Sequence, residues 1–410
     1  MKTRAIVIGG SLGGLFAANL LQDLGWEVDV FERVGDDLAS RGAGIGTHDE
    51  LLAVLGRLGI EIDDSFGVRV AERICLDPAG NPIYRLAWGH MMSAWARIYR
   101  PLKDRLAAPH YHSGRNFTGL TRDRGKIVAH FDDGSQARAD LLIGADGLHS
   151  TVRARLSPGA EPVYAGYVGW RGVVEESAIP ARVRDCLGVH YYFALPPGEM
   201  MLCYPVPGRD NSISPGHRDW NYVWYRPAAT QRELRDLCTD VNGRYYGTAM
   251  PPPFVRPDVT RKIKDLARST LAPQIAEIVE LSQPFFQAIF DVESPRIALE
   301  RVALLGDAAF VARPHVGMGV TKAGLDALCL AKSIAHANGD LDGALERYDR
   351  LRGEFGRRCV ARGRRIGSYI EARARPEAGW TPEALDQSPE RILREVGATL
   401  SDIPEFALEI

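Results

Sequence analysis

Nothing in this 410-residue sequence is spaced to hold a metal. Its six cysteines are Cys75, Cys186, Cys203, Cys238, Cys329 and Cys359, and no two form a Cys-x-x-Cys pair. The zinc ribbon and finger designs are thereby excluded, and the pattern reads as the reduced thiols of a cytoplasmic protein. Excess charge is missing too: 50 Lys and Arg stand against 52 Asp and Glu, a formal net charge of -2. A nucleic-acid partner would leave a basic footprint, so none is expected. The densest basic group is Arg357, Arg358, Arg362, Arg364 and Arg365. It falls on a helical pattern and reads as a solvated face. Long apolar runs are also absent. The run at 5–8 is too short for a signal peptide or a membrane span, so no membrane partner is expected. No internal repeat is visible. What remains is 45% hydrophobic and 25% charged, an ordinary globular composition with a core sufficient for two domains or one large one.

The strongest local signal lies at the start. Ala5-Ile6-Val7-Ile8 is an apolar run suited to a buried parallel strand. Gly9-Gly10-Ser11-Leu12-Gly13-Gly14 follows, then a helical spacing of Leu15, Ala18, Leu21 and Leu24, then Val28-Asp29-Val30-Phe31 ending at Glu32. Strand, glycine-rich turn, helix, strand and acid in that order form the dinucleotide-binding fingerprint. Gly9 permits the tight exit from the strand, and Gly14 lets the helix pack closely on the sheet. The helix start at Ser11 and Leu12 offers free N–H groups and a dipole to a pyrophosphate. Glu32 is placed to accept from ribose hydroxyls, with Arg33 directly after it. Ser11 replaces the usual second glycine, and its hydroxyl can bond a phosphate. This motif alone does not separate NAD from FAD.

Two later segments do. Leu141-Leu142-Ile143-Gly144-Ala145-Asp146-Gly147 is a buried strand ending in Asp-Gly, with a helix beginning near Ser150. Val302-Ala303-Leu304-Leu305-Gly306-Asp307 is another, ending in Gly-Asp. Arg313-Pro314-His315-Val316-Gly317-Met318-Gly319 follows, with a helix from Val320. Asp307 at a strand end suits a polyol such as the ribityl chain. The N–H groups from Gly317 through Met318 and Gly319 to Val320 make a positive helix start, fit to stabilise a reduced flavin ring.

These residues resemble the single-component flavoprotein aromatic hydroxylases of the 4-hydroxybenzoate hydroxylase fold. Asp146, Gly147, Ser150 and Arg153 match that family's DGxxSxxR motif, and Gly306, Asp307, Pro314, Gly317 and Gly319 match its GD motif. The likeness extends to about residue 370. Ser11, the stretch from Glu161 to Gly172 and the Tyr204-Pro205-Val206-Pro207-Gly208-Arg209 run look like the 2,6-dihydroxypyridine 3-hydroxylase branch, as does Arg313-Pro314-His315. The resemblance implies an α/β protein in which a discontinuous Rossmann-like FAD domain carries an inserted β-sheet substrate domain. The FAD domain is expected at 1–70, 98–165 and 285–372, the substrate sheet at 71–97 and 166–284. A proline-marked C-terminal tail at 373–410 would be packed or form an interface. Strands are expected near 188–195, 200–205 and 220–225, and helices at 272–281 and 342–372.

The implied chemistry uses non-covalent FAD, NADH or NADPH, and O2. A flavin C4a-hydroperoxide hydroxylates a small electron-rich aromatic or N-heterocyclic ring, and a homodimer is among the assemblies the family allows. The protein's part is to exclude water, orient the ring and help deprotonate its hydroxyl. His48 and His315 are the candidate bases, with Tyr191 and Tyr204 on the roof strands; His190, His217 and Tyr225 lie nearby in the pattern. Arg41 is a candidate for FAD phosphate or adenosine, and Arg100 matches an FAD-contacting arginine of many relatives. Arg153 would hold the Asp-Gly loop by its carbonyls. Arg171 reads as a clamp of sheet to FAD domain; with Arg209 and Arg226 it is also a candidate for a substrate carboxylate. A hydroxypyridine and a phenol or benzoate, the latter with loss of a carboxylate, both remain as substrates. The WxWxIP run of flavin halogenases and the FxGxxxHxxxW run of Baeyer–Villiger enzymes are absent. A scaffold without catalysis stands as the reading from another class, opposed by the intact Asp-Gly and Gly-Asp motifs.

Overall fold

The computed structural model describes residues 2–38, 44–250, 252–381, 383–398, 400 and 403. Among these residues the strands form a six-stranded, a ten-stranded and a three-stranded sheet. The six-stranded sheet explains the continuous apolar runs. Arg4–Ile8 pairs in parallel with Glu27–Glu32 on one side and Leu141–Gly144 on the other, and Leu141–Gly144 pairs in parallel with Val302–Leu304. These inner strands are buried on one face by helices and on the other by the three-stranded sheet of Phe117–Asp123, Lys126–Phe131 and Gln136–Ala139, so alternation is neither needed nor seen. Leu12–Asp23 and Gly319–His336 pack against each other on one face.

The register decides the site. Ile8 lies beside Gly144, and Gly144 beside Leu304. The three glycine-containing turns that follow these strands are therefore neighbours along one edge, at the carboxyl ends of parallel strands, where open α/β sheets bind ligands.

The ten-stranded sheet is mostly antiparallel, with Val163–Glu175 and Asp219–Pro227 at its centre. Its side chains alternate faces. Tyr167, Leu202, Tyr204, Val223 and Tyr225 join the core shared with the FAD domain. Trp170, Met201, Cys203, Tyr222 and Trp224 join a second core, against the helices Pro257–Thr270 and Pro273–Leu281. The expected strands and helices at 188–205, 220–225, 272–281 and 342–372 appear as Tyr191–Ala194, Met200–Val206, Asp219–Pro227, Pro273–Leu281 and Leu341–Ala374.

Sheet membership differs from the expected segments, most clearly at two strands. Gly44–Thr47 and Phe285–Glu293 are strands of the large sheet, pairing with Pro82–Ala94 and Val163–Glu175. The first is half glycine and carries almost no strand signal; the second is readable as a strand, but its partner is not. The arginine run at 357–365, read as a solvated face, is so only in part: Arg357 is exposed and Arg358 pairs with Glu354 of its own helix, while the other three reach neighbouring elements. Arg364 pairs with Asp291 and Glu293, Arg365 with Glu395, and buried Arg362 donates to the Glu395 carbonyl. These side chains fasten the long helix Leu341–Ala374 to the large sheet and to the C-terminal helix Pro389–Glu395.

Candidate active site

Two cavities open along the motif edge. The smaller, about 350 Å³, is lined by Gly9, Ser11, Glu32, Arg33 and Asp146. Gly9 has φ +107°, and a Cβ there would stand 2.3 Å from the Ala145 carbonyl oxygen. A Cβ on Gly14 would stand 1.9 Å from the Gly9 oxygen, so strand and helix meet at backbone contact. Ser11 caps the helix without a side-chain bond. The side chain of Leu12 is buried in the core, which leaves its N–H as its contribution to the helix start. Glu32 accepts from the Gly10 and Val34 N–H groups at 2.8 and 2.9 Å, and each oxygen keeps a lone pair for a further donor.

Asp146 spends its carboxylate on its own turn. It accepts from the Ser150 hydroxyl and from the Thr151 and Val152 N–H groups, the latter two at 2.8 and 3.2 Å. Arg153 donates to the carbonyls of Leu148, Ala160 and Ala308, tying the Asp-Gly loop to the Gly-Asp loop. Arg41 lies outside the described residues. Arg100 is exposed and lines neither cavity. It sits on the outer face of Trp95–Asp104, while Trp95 of that helix and Arg115 line the cleft. Of that helix, Trp95 and not Arg100 faces the cleft.

The larger cavity, about 460 Å³, lies between the Gly-Asp edge and the large sheet. From the FAD side come Asp307, Pro314, Gly317, Met318, Gly319 and Val320. The helix Gly319–His336 has no side-chain cap, so its first N–H groups open on this space. Beneath the turn lies a buried network that the sequence analysis did not single out. Asp326 accepts from the Gly306 N–H at 3.0 Å and pairs with Arg352 at 2.6 Å, while the Lys322 ammonium donates to the Gly306 carbonyl at 2.6 Å. Its signal was a Lys and Asp four apart inside an otherwise apolar helix.

From the roof come Arg171, Tyr191, Leu202, Tyr204, Val223 and Tyr225. Tyr204 donates to the Gly44 carbonyl at 3.3 Å and meets the Tyr191 ring edge-on at 4.9 Å. Burial pushes the Tyr204 hydroxyl up to about 12 and that of Tyr191 well above its usual value, so both stay protonated. His48 and His315 both line the cavity. His48 Nδ1 bonds the Thr321 hydroxyl at 2.9 Å; among the described residues Nε2 makes no hydrogen bond of good geometry, although the Gly397 backbone lies close enough to act on the ring. His315 Nε2 bonds the Tyr167 hydroxyl at 2.7 Å, and Nδ1 has no partner among the described residues. Burial, opposed partly by the Gly397 backbone, lowers His48 to about 4. Burial and the Arg313 charge lower His315 to about 3. Both are neutral near pH 7. His190 sits near Glu72, and His217 is exposed; neither reaches the cavity.

The three roof arginines separate cleanly. Arg226 is bidentate to Glu199 at 2.9 and 3.0 Å, and Arg209 pairs with Glu175 at 2.8 Å. Arg171 lines the cavity, and no hydrogen bond or ion pair holds it among the described residues. The clamp expected of Arg171 is therefore not made.

A dinucleotide cradle, an uncapped helix start beside Asp307 and a roofed cavity next to it together define a flavoprotein that works on a small molecule. Comparison with known proteins agrees. A family model described as FAD binding domain-like matches residues 164–291. The chain is 32% identical over 369 residues to the 2,6-dihydroxypyridine 3-monooxygenase of Paenarthrobacter nicotinovorans, covering 90% of this chain and 91% of that one. It is 28% identical over 419 residues to a Klebsiella pneumoniae FAD-dependent urate hydroxylase, covering 98% and 99%. The solved 2,6-dihydroxypyridine-3-hydroxylase of Arthrobacter nicotinovorans superposes with a TM-score of 0.85 at 31% identity, covering 93% of this chain and 95% of that one. The Klebsiella pneumoniae HpxO structure with FAD and uric acid shares the fold, at TM-score 0.74, 24% identity and coverage of 98% and 97%. The chain belongs to the FAD-dependent aromatic monooxygenases. Among the described residues no helix is long and apolar enough to cross a membrane.

Proposed function

We propose that this monooxygenase hydroxylates a small ring bound as its oxyanion, a hydroxypyridine or similar N-heterocycle, with NADH or NADPH as reductant and O2 as oxygen source. The observation that carries the reading is Arg171, a guanidinium open to the ring cavity and without a hydrogen-bond or ion-pair partner among the described residues. The 2,6-dihydroxypyridine relative supports the ring class. Bound FAD supplies electron transfer and oxygen activation; the residues of the smaller cavity and the helix start at Gly319 would hold it.

The side chains divide the remaining work. Arg171 stabilises negative charge on the ring oxygen and so lowers the hydroxyl's own pKa. The histidines are poor bases for this proton. Burial holds both imidazoles well below the ordinary histidine value, so neither gains a proton readily from a ring hydroxyl. The free nitrogens of His48 and His315 instead orient the ring by hydrogen bonds, and the tyrosines and Leu202 wall it from water. A ring carboxylate would fit the same guanidinium, so the test must separate the two. Hydroxypyridines and hydroxybenzoates are screened for faster NADH or NADPH oxidation with matching hydroxylated product. Turnover of hydroxypyridines supports the reading; turnover of hydroxybenzoates alone overturns it.

A further inference from the structure

We propose that Arg73 is a positioning residue that holds the C-terminal segment ending at Gly397 as a wall of the ring cavity, screening the bound ring and the flavin face from solvent. The inference rests on reading the larger cavity as the ring site, and it assigns a task to a tail whose sequence showed only a packed end or an interface.

Arg73 lies on the strand Val68–Leu76 and is 0% exposed. Its Nη1 donates to the carbonyls of Leu393 and Val396, both at 2.6 Å, and Nη2 donates to that of Gly397 at 3.2 Å. These carbonyls lie at and just beyond the end of the helix Pro389–Glu395. A helix end leaves such groups without intrahelical partners, and a cation there is favoured. The guanidinium is sandwiched by rings, with Cζ 4.5 Å from the centre of Trp88 and 5.6 Å from that of Tyr191. Tyr191 itself lines the cavity.

Two of the three anchored residues are themselves in the active site. Val396 and Gly397 line the ring cavity. The Gly397 N–H donates to the His315 carbonyl at 2.9 Å. Gly317 of the Gly-Asp motif packs so close that a Cβ on it would stand 2.8 Å from the Gly397 Cα. The segment is thus fixed from both sides, by Arg73 in the roof and by the His315–Gly317 turn beside the flavin helix. Gluing a tail to a core requires only apolar contact, which Ile392 and Leu393 already make. A buried charge is a costly way to do it. Three carbonyls gathered on one planar fork instead fix the path and register of the stretch from Leu393 to Gly397 that carries the cavity wall.

The test compares wild-type holoenzyme with Arg73→Met, Arg73→Lys and Val396→Ala, each with FAD bound. Hydrogen exchange across 389–398 reports the segment. Iodide quenching of flavin fluorescence reports solvent access to the cavity, and neither needs a ring substrate. Arg73→Met is expected to speed exchange at 389–398 by about tenfold or more and to raise the quenching constant. Arg73→Lys should restore most of both, and Val396→Ala should raise quenching without faster exchange. With a ring substrate in hand, Arg73→Met should raise KM more than it lowers kcat and divert reducing equivalents to hydrogen peroxide. Unchanged exchange in Arg73→Met overturns the proposal. Faster exchange with wild-type quenching overturns it too, because Arg73 would then be a staple with no part in closing the site. Should Arg73→Met fail to fold, wild-type quenching and KM in Val396→Ala overturn it alone.

Discussion

Replacing Arg171 by Met removes the charge and keeps most of the side chain's bulk at the ring cavity. No protein carboxylate neutralises this guanidinium among the described residues, so its field is available to a ligand. Two unit charges ~4 Å apart at an effective dielectric of ~20 attract by about 4 kcal/mol. The residue is half-buried and the ring oxyanion must shed water, which reduces the net gain to roughly 1.5–3 kcal/mol, the range for hydrogen bonds to charged groups. That corresponds to a loss of roughly 10- to 100-fold in affinity for an ionised hydroxypyridine. Its O-methyl ether cannot ionise and should bind the variant and the wild type alike. Dissociation constants come from the change each ligand makes in the flavin absorption spectrum. The bound ring's own ionisation, followed by absorbance against pH, should move upward in Arg171→Met. Equal losses for the hydroxypyridine and its ether, or an unmoved ionisation, would refute the role given to this charge.

The buried histidines set a pH dependence. Burial first, with nearby cations, lowers His48 to about 4 and His90 and His315 to about 3, against an ordinary 6.5. Folded-state values below the unfolded one mean that the stability is fully present above about pH 6.5 and declines as the unfolded chain alone takes up protons on acidification. Three such groups give at most ~4 kcal/mol per pH unit between about pH 4 and 6. Urea midpoints at several pH values measure it, and His90→Gln should flatten the slope by about a third. Gly9→Ala should purify largely without flavin, read from the flavin absorbance band, because the added methyl meets the Ala145 carbonyl at 2.3 Å and the φ of +107° is strained for alanine. Asp326→Asn leaves buried Lys322 and Arg352 poorly paired and should cost ~3–5 kcal/mol in chemical denaturation; a change below about 1 kcal/mol would show that the network is idle.

The FAD half was legible because its signals are local. Gly9, Asp146 and Gly306 each sit at the end of an apolar run, and parallel pairing of those runs in register brings the three turns together without further information. Even the task of Arg153, tying loops by their carbonyls, followed from its place after Ser150. What a motif does not give there is direction within a helix: Arg100 and Trp95 share Trp95–Asp104, and only the packing of that helix shows which of them faces the cleft.

The roof was legible as strands and not as a surface. A strand's side chains alternate, so naming one residue as inward names every second neighbour, but nothing in an isolated strand says which set is inward. Trp170 and Arg171 show the difficulty. Burial of a tryptophan is the safer guess, and it is correct, since Trp170 packs in the outer core. The cavity face then falls to Arg171, Tyr225 and Val223, because the pairing sets Arg171 opposite Val223 and Gly169 opposite Tyr225. A slip of one residue in Val163–Glu175 would put the indole in the ring cavity and the guanidinium among Phe286 and Met250, where it would stay only with a partner. Substrate charge selection therefore depends on long-range pairing of strands some fifty residues apart, and that pairing is the one thing a motif cannot carry.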